Sequence, residues 1–181
     1  GPAWGGSLIR PEATGYGIVY FAAEMLARQG ETVAGKRWLV SGAGNVAQAT
    51  IEKILQLGGT VLTVSDSSGY VYDEAGIDAA KLAYIKVMKN QQRGRIYEYC
   101  DRYPQALYIP ADPARGWNPL WQHRADCAVP AATQNEINGT DALNLVAGGV
   151  RLVCEGANMP TTSEAIAIFR DHDILFGPAK A

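Results

Sequence analysis

Two hydrophobic periodicities alternate along this chain. Lys36-Arg37-Trp38-Leu39-Val40 is an apolar run opening on two charges, and it predicts a buried strand. Behind it, Val46, Thr50 and Ile54 fall on one i, i+4 row and Ala47, Ile51 and Leu55 on the next, which is the repeat of a helix. After a turn at Gly58-Gly59, Val61-Leu62-Thr63-Val64-Ser65-Asp66 predicts a second strand. Upstream, Ile18, Phe21, Ala22, Met25, Leu26 and Gln29 keep helical spacing, with Pro11-Glu12 suited to the first turn and Gly30 to the end. Gly15 and Gly17 stand inside that helix, where each costs about 1 kcal/mol against alanine. They imply either a close approach by another backbone or ligand, or an irregular first turn.

Downstream, Asp66-Ser67-Ser68-Gly69 and Asp73-Glu74-Ala75-Gly76 are turn sequences, with Tyr70-Val71-Tyr72 between them as a short extended arm. Asp78 suits the cap of a helix over residues 79–89, with Leu82, Ile85 and Met88 on one face. A shorter helix is predicted over residues 96–102, a third strand at Leu107-Tyr108-Ile109, and a proline- and tryptophan-rich loop over residues 110–121. Cys127-Ala128-Val129, Leu152-Val153-Cys154-Glu155 and Ile174-Leu175-Phe176 read as further short strands. Helices over residues 142–147, and from a Thr161 or Thr162 cap to Phe169, separate them; residues 1–8 read as a loop. Strands alternating with helices, without repeats or an internal linker, predict an α/β fold: a doubly wound, mostly parallel, Rossmann-like sheet with helices on both faces. Residues 1–181 then make one domain.

Composition narrows the function. Sixteen basic and eighteen acidic residues leave a net charge of -2, which gives no electrostatic case for nucleic acid or an anionic membrane as partner. No uncharged apolar run is long enough for a membrane span, and no signal-peptide pattern opens the chain. Cys100, Cys127 and Cys154 lack a CxxC or histidine pairing and read as reduced thiols of a cytoplasmic protein. His123 and His172 have no metal-ligand spacing, so no metal site is expected.

The candidate chemistry lies between the first two strands. Ser41-Gly42-Ala43-Gly44-Asn45-Val46-Ala47 is a Gly-x-Gly-x-x-Ala turn in the strand–turn–helix context that gives the pattern meaning. Gly42 permits the tight turn, Gly44 leaves room for a pyrophosphate, and Ala47 lets the helix pack closely on the strand. The helix dipole and its first N–H groups favour the anion. Asp66, ending the second strand 24 residues after Gly42, lies near the spacing of a ribose-binding carboxylate. Four predicted strand ends, Ser41-Gly42, Ser65-Asp66, Ala131-Ala132-Thr133 and Gly156-Ala157-Asn158, are small and polar, as one elongated ligand laid across the sheet edge requires.

Residues 5–17 (GGSLIRPEATGYG) resemble the segment leading into the cofactor domain of glutamate dehydrogenases. Ser41-Gly42-Ala43-Gly44-Asn45-Val46-Ala47-Gln48, Ala131-Ala132-Thr133-Gln134-Asn135-Glu136 and Glu155-Gly156-Ala157-Asn158-Met159-Pro160-Thr161-Thr162 are similar to three further blocks of that family. The resemblance is to the hexameric, NADP-using bacterial and fungal branch. It implies reversible oxidative deamination of L-glutamate to 2-oxoglutarate and ammonia. It implies that Thr14 and Asn158 position the nicotinamide, that Asn45 and Val46 meet the pyrophosphate, and that Ala132 and Thr133 flank the cofactor. Asp66, Ser67, Lys89 and Arg95 would surround the adenosine ribose and its 2′ substituent. In that family the catalytic lysine and aspartate and the glutamate-binding lysines lie in a separate preceding domain, which nothing here resembles. The expectation is therefore an NADP-binding piece, monomeric when separated from a homohexameric parent and inactive alone. The alternatives are an NAD-dependent domain serving another amino acid, which Asp66 favours, and a non-catalytic nucleotide-binding module.

Overall fold

A computed structural model describes residues 11–179. Helix α1 (Pro11–Ala27) precedes β1 (Arg37–Val40), and α2 (Asn45–Gln56) follows the glycine turn. β2 (Thr60–Val61) lies on one side of β1. On the other side β6 (Cys127–Val129), β7 (Leu152–Cys154) and β8 (Leu175–Gly177) follow in turn. The sheet order is β2-β1-β6-β7-β8, with every pairing parallel.

Alternation along these strands builds two cores. Trp38, Val40, Cys127, Val129, Leu152 and Cys154 join one apolar cluster with Val19, Ile51 and Ile54 of α1 and α2. Leu39, Ala128 and Val153, pointing the other way, join a second with α5 (Gly139–Ala147) and α6 (Ser163–Asp171). A parallel sheet covered on both faces needs such runs, and the doubly wound arrangement expected from the sequence is present. Thr162 is the cap of α6, its hydroxyl accepting the N–H of Ala165. Among the described residues no helix is long and apolar enough to cross a membrane, and no group of His, Cys, Asp or Glu is placed to hold a metal. All three cysteines are unpaired, Cys127 and Cys154 within the core.

The predicted second strand is in fact two. After Leu62 the chain leaves the parallel sheet, and β3 (Thr63–Asp66) begins an antiparallel sheet with β4 (Gly69–Tyr72) and β5 (Leu107–Pro110). The 70–72 arm is therefore a central strand, and the 107–109 strand belongs outside the parallel sheet. Side-chain hydroxyls make the departure possible. Thr63 Oγ1 accepts the Val40 N–H at 2.8 Å and donates to its carbonyl at 2.9 Å. Ser65 Oγ accepts the Gly42 N–H at 2.7 Å. The predicted helix over 79–89 also divides: α3 (Ala79–Lys86), capped by Asp78, widens into a π-helical turn at Val87–Gln91. The 96–102 helix is a 3-10 turn followed by α4 (Tyr99–Arg102).

The two glycines of α1 separate. A Cβ on Gly15 would lie 2.6 Å from Ala49 Cβ and 2.8 Å from both Thr50 N and Val46 O, so α1 and α2 touch backbone to backbone there. A Cβ on Gly17 would meet nothing within 4 Å. Gly15→Ala should therefore destabilise the fold by about 1–3 kcal/mol through overpacking. Gly17→Ala should stabilise it by up to about 1 kcal/mol through helix propensity. Urea unfolding of the two variants checks the opposite signs.

Candidate functional site

At the carboxyl ends of β1, β3 and β6 a cleft of about 670 Å³ opens, within the size range of small-molecule sites. Its floor is the turn from Gly42 to Val46. Gly42 is required by the fold. Its φ is +92°, and a Cβ there would lie 2.8 Å from the Ala131 carbonyl. Gly44 is different: its φ of -82° suits any residue, and a Cβ would meet nothing within 4 Å. It is the N-cap of α2, no side chain caps the helix, and no acid occupies the first turn. A 12-residue helix thus presents its N-terminus to the cleft with no internal anion to satisfy it. The buried Gln48 holds this turn in place, donating to Ala43 O at 2.8 Å and exchanging hydrogen bonds with the Asn90 amide at 3.0 and 3.1 Å.

Asp66, Ser67 and Lys89 form one wall. Asp66 is saturated: Oδ1 accepts from Ser68 N at 2.9 Å and Ser68 Oγ at 2.6 Å, and Oδ2 from Lys89 Nζ at 3.0 Å and Ile96 N at 2.7 Å. Burial alone would push its carboxyl up, but the bonds from Ser68, Lys89 and Ile96 outweigh burial and hold it below the usual range. Its ionised form stabilises the fold above the ordinary aspartate pKa, and that contribution is lost as pH falls through the lowered value. The π-helical turn puts Lys89 on Asp66 and the adjacent Asn90 on Gln48. Arg95 Nη1 donates to Ser67 Oγ at 3.0 Å, which brings an exposed cation to the rim.

The opposite wall comes from Ala131, Ala132, Thr133 and Glu136. Over the top lies the stretch after β5, with Arg115, Trp117 and Asn118, and Arg115 packs its guanidinium on the Trp117 ring at 5.6 Å. Tyr70 lines the cleft beneath it and bonds His123 Nε2 at 2.8 Å, while Tyr72 stacks on the imidazole at 4.0 Å. Burial lowers the His123 pKa and pushes the Tyr70 phenol up to about 12, so the pair is uncharged at neutral pH.

Nine residues singled out from the sequence thus line one cleft: Gly42, Gly44, Asn45, Val46, Asp66, Ser67, Lys89, Ala132 and Thr133. Arg95 joins through Ser67. Thr14, partly buried in α1, and Asn158, exposed after β7, are not among the lining residues. The loop carrying Asn158 is nonetheless held beside the second wall, because Gly156 N and Ala157 N both donate to Pro130 O. Arg115, Trp117, Tyr70 and Glu136 were not singled out as site residues. The clustering of proline and tryptophan over residues 110–121 was the one local signal of a shaped loop.

The sequence matches the family described as Glutamate/Leucine/Phenylalanine/Valine dehydrogenase over residues 5–181. It is 55% identical over 181 residues to the NAD(P)-specific glutamate dehydrogenase of Xylanibacter ruminicola and 52% identical to the NADP-specific glutamate dehydrogenase of Haemophilus influenzae. Each alignment covers 100% of this chain and 39% of the relative, so the chain spans about two fifths of their length. The fold is similar to the crystal structure of Plasmodium falciparum glutamate dehydrogenase, with a TM-score of 0.88 and 42% identity over 98% of this chain and 37% of that one.

Gly44→Val gives a clean test of the cleft floor. The backbone dihedrals and the open space accommodate the substitution, so the fold should persist with a loss of about 1 kcal/mol for the poorer N-cap, while the branched side chain fills the space before the α2 N-terminus. Calorimetric titration with a dinucleotide should show binding weakened by about tenfold or more.

Proposed function

The chain belongs to the Glutamate/Leucine/Phenylalanine/Valine dehydrogenase family, and on that premise we propose that residues 1–181 form one NADP-binding domain of a glutamate dehydrogenase. The parent enzyme would catalyse reversible oxidative deamination of L-glutamate to 2-oxoglutarate and ammonia. The observation that carries this reading is the uncapped α2 N-terminus behind Gly44, facing a cleft with room in front of it. A pyrophosphate fits that place: the N–H groups and the helix dipole supply the electrostatics, and Gly44 supplies the space. When bound, the cofactor would supply a nicotinamide as hydride acceptor. This chain's residues would hold it, with the floor from Gly44 to Val46, the walls at Ser67 and at Ala132-Thr133, and Thr14 and Asn158 toward the nicotinamide as the family resemblance implies. The substrate-binding lysines and the catalytic lysine and aspartate would come from another part of the parent enzyme.

The choice of NADP over NAD rests on charge. An acid at the end of the second strand suits a free ribose 2′-hydroxyl, and that is the ground for an NAD-dependent reading. Here both Asp66 oxygens are already engaged and Lys89 matches their charge. What remains at the rim is a hydroxyl on Ser67 and a guanidinium on Arg95, the groups a 2′-phosphate requires. NADP-specific names among the relatives agree with this reading.

A charge-assisted hydrogen bond is worth about 1.5–3 kcal/mol. Arg95→Ala should therefore weaken NADP by about tenfold or more and leave NAD almost unchanged, as read by fluorescence titration with each cofactor. Equal losses for both, or tighter NAD binding by the unmutated chain, would instead favour the NAD-dependent reading. With NADP and L-glutamate supplied, the chain alone should produce no NADPH in an absorbance assay.

A further inference from the structure

Among the described residues, one carboxylate of the cleft, Glu136, has no ion-pair partner. Glu136 lies in its second wall, and its Oε2 accepts two successive backbone N–H groups, from Ala132 at 2.9 Å and Thr133 at 3.1 Å. The hydroxyl of Ser41, just past the end of β1, accepts the Ala131 N–H at 2.9 Å and is near enough to this side chain to favour its ionised form. The residues on either side of Glu136 make a second set of contacts. Asn135 N donates to Met159 O at 3.0 Å, Ile137 N to Pro160 O at 2.9 Å, and Thr162 N to Ile137 O at 3.0 Å. The carboxylate therefore holds the turn after β6, which Ala131 ties to Ser41 at the end of β1, and the segment around Glu136 is tied to the loop after β7.

We propose that Glu136 is a positioning residue, whose ionised carboxylate clamps the Ala132-Thr133 wall to the end of β1 and so sets the affinity of the cleft for a dinucleotide. The proposal rests on the reading of the cleft as a dinucleotide site. The chemistry favours the anion. One oxygen takes two backbone N–H donors, and a carboxylate accepts them more strongly than a neutral carboxyl would.

Burial pushes this carboxyl above the usual glutamate range, against the lowering effect of Ser41 and the two backbone N–H groups, and the charge of Asp141 pushes the same way as burial. The neighbouring elements add two further acids, each held by backbone N–H groups. Asp141, in the first turn of α5, accepts from Asn118 N and Asn138 N, and Glu155, after β7, accepts from Thr161 N and Ala179 N. Across the cleft Asp66 pairs with Lys89, and Asp112 stands 3.9 Å from Arg115. β1 contributes only the Ser41 hydroxyl. The raised pKa has a definite sign: the folded state holds the Glu136 proton more tightly than the unfolded chain, so ionised Glu136 lowers stability at neutral pH, and that cost disappears as pH falls through the raised value. Clamping and stability thus respond to acid in opposite directions.

The test is a pair of NADPH fluorescence titrations across the weakly acidic to neutral range, on the chain and on Glu136→Gln. Titration of the cofactor's own phosphate cancels in the ratio of the two dissociation constants. The variant should bind more weakly by about tenfold or more at neutral pH, the loss of one charge-assisted hydrogen bond. The ratio should fall toward one on acidification, with the thermal midpoint of the variant not below that of the wild type. Equal affinities at neutral pH, or a ratio independent of pH, would overturn the proposal. Amide exchange without cofactor gives an independent reading: Ala132 and Thr133 should lose protection in the variant, and unchanged protection would also overturn it. Failure of the unmutated chain to bind any dinucleotide would sink the cofactor-domain reading, while the exchange result would still decide the clamp. Should Glu136→Gln not fold, Ser41→Ala removes the hydroxyl that lowers the pKa. The pH at which wild-type affinity weakens should then move upward, and an unmoved midpoint would count against the clamp.

Discussion

The pair of hydrogen bonds between the Thr63 hydroxyl and the two backbone groups of Val40 is the constraint on which the site depends. A backbone that leaves a parallel sheet abandons donors and acceptors on the strand it leaves, and buried ones are costly when unpaired. Thr63 Oγ1 satisfies both backbone groups of Val40 and Ser65 Oγ the Gly42 N–H, while Ser65 N donates to Gly42 O at 3.1 Å, so β3 leaves the ladder of β1 without orphaning it. The chain stays beside the end of β1 as far as Ser65, and Asp66 then lines the same cleft as the start of α2.

The same economy governs charge. Asp66 collects two N–H groups, a hydroxyl and an ammonium, and so anchors the Ser67 turn, the π-helical segment and the start of the 3-10 turn at Ile96 in one knot. On the far wall Glu136 does the equivalent with neutral donors alone. Each acid facing the cleft is thus spent on backbone geometry, and the floor between them is left with positive potential from the N–H groups of α2. A carboxylate left free beside that floor would compete with any phosphate for it.

Much of this was legible in the sequence, for identifiable reasons. β1, α2 and the glycine turn follow from period, spacing and residue size, because local sterics there decide the structure. The later strands follow from short apolar runs bounded by turn residues. The switch of sheets at Leu62 was not legible, since Val61 to Val64 reads as one apolar run whichever partner it pairs with. What decides the partner is a hydroxyl contact to a residue 23 positions away. The π-helical turn was hidden for a similar reason: Val87–Gln91 has no breaker, and its widening is tied to the long-range bonds of Lys89 and Asn90. Arg115 and Trp117 gave no periodic signal, as they belong to an irregular loop placed by tertiary packing.

The loops after β6 and β7 are laced together by backbone bonds running from Pro130 with Gly156 and Ala157 to Ile137 with Thr162. Two chain segments joined in this way cannot open one at a time, because freeing either breaks the bonds of both. They make one cooperative unit of local unfolding. Amides on either segment, though far apart along the chain, should share a single opening free energy, and a ligand that seats against one loop would slow the breathing of the other without touching it.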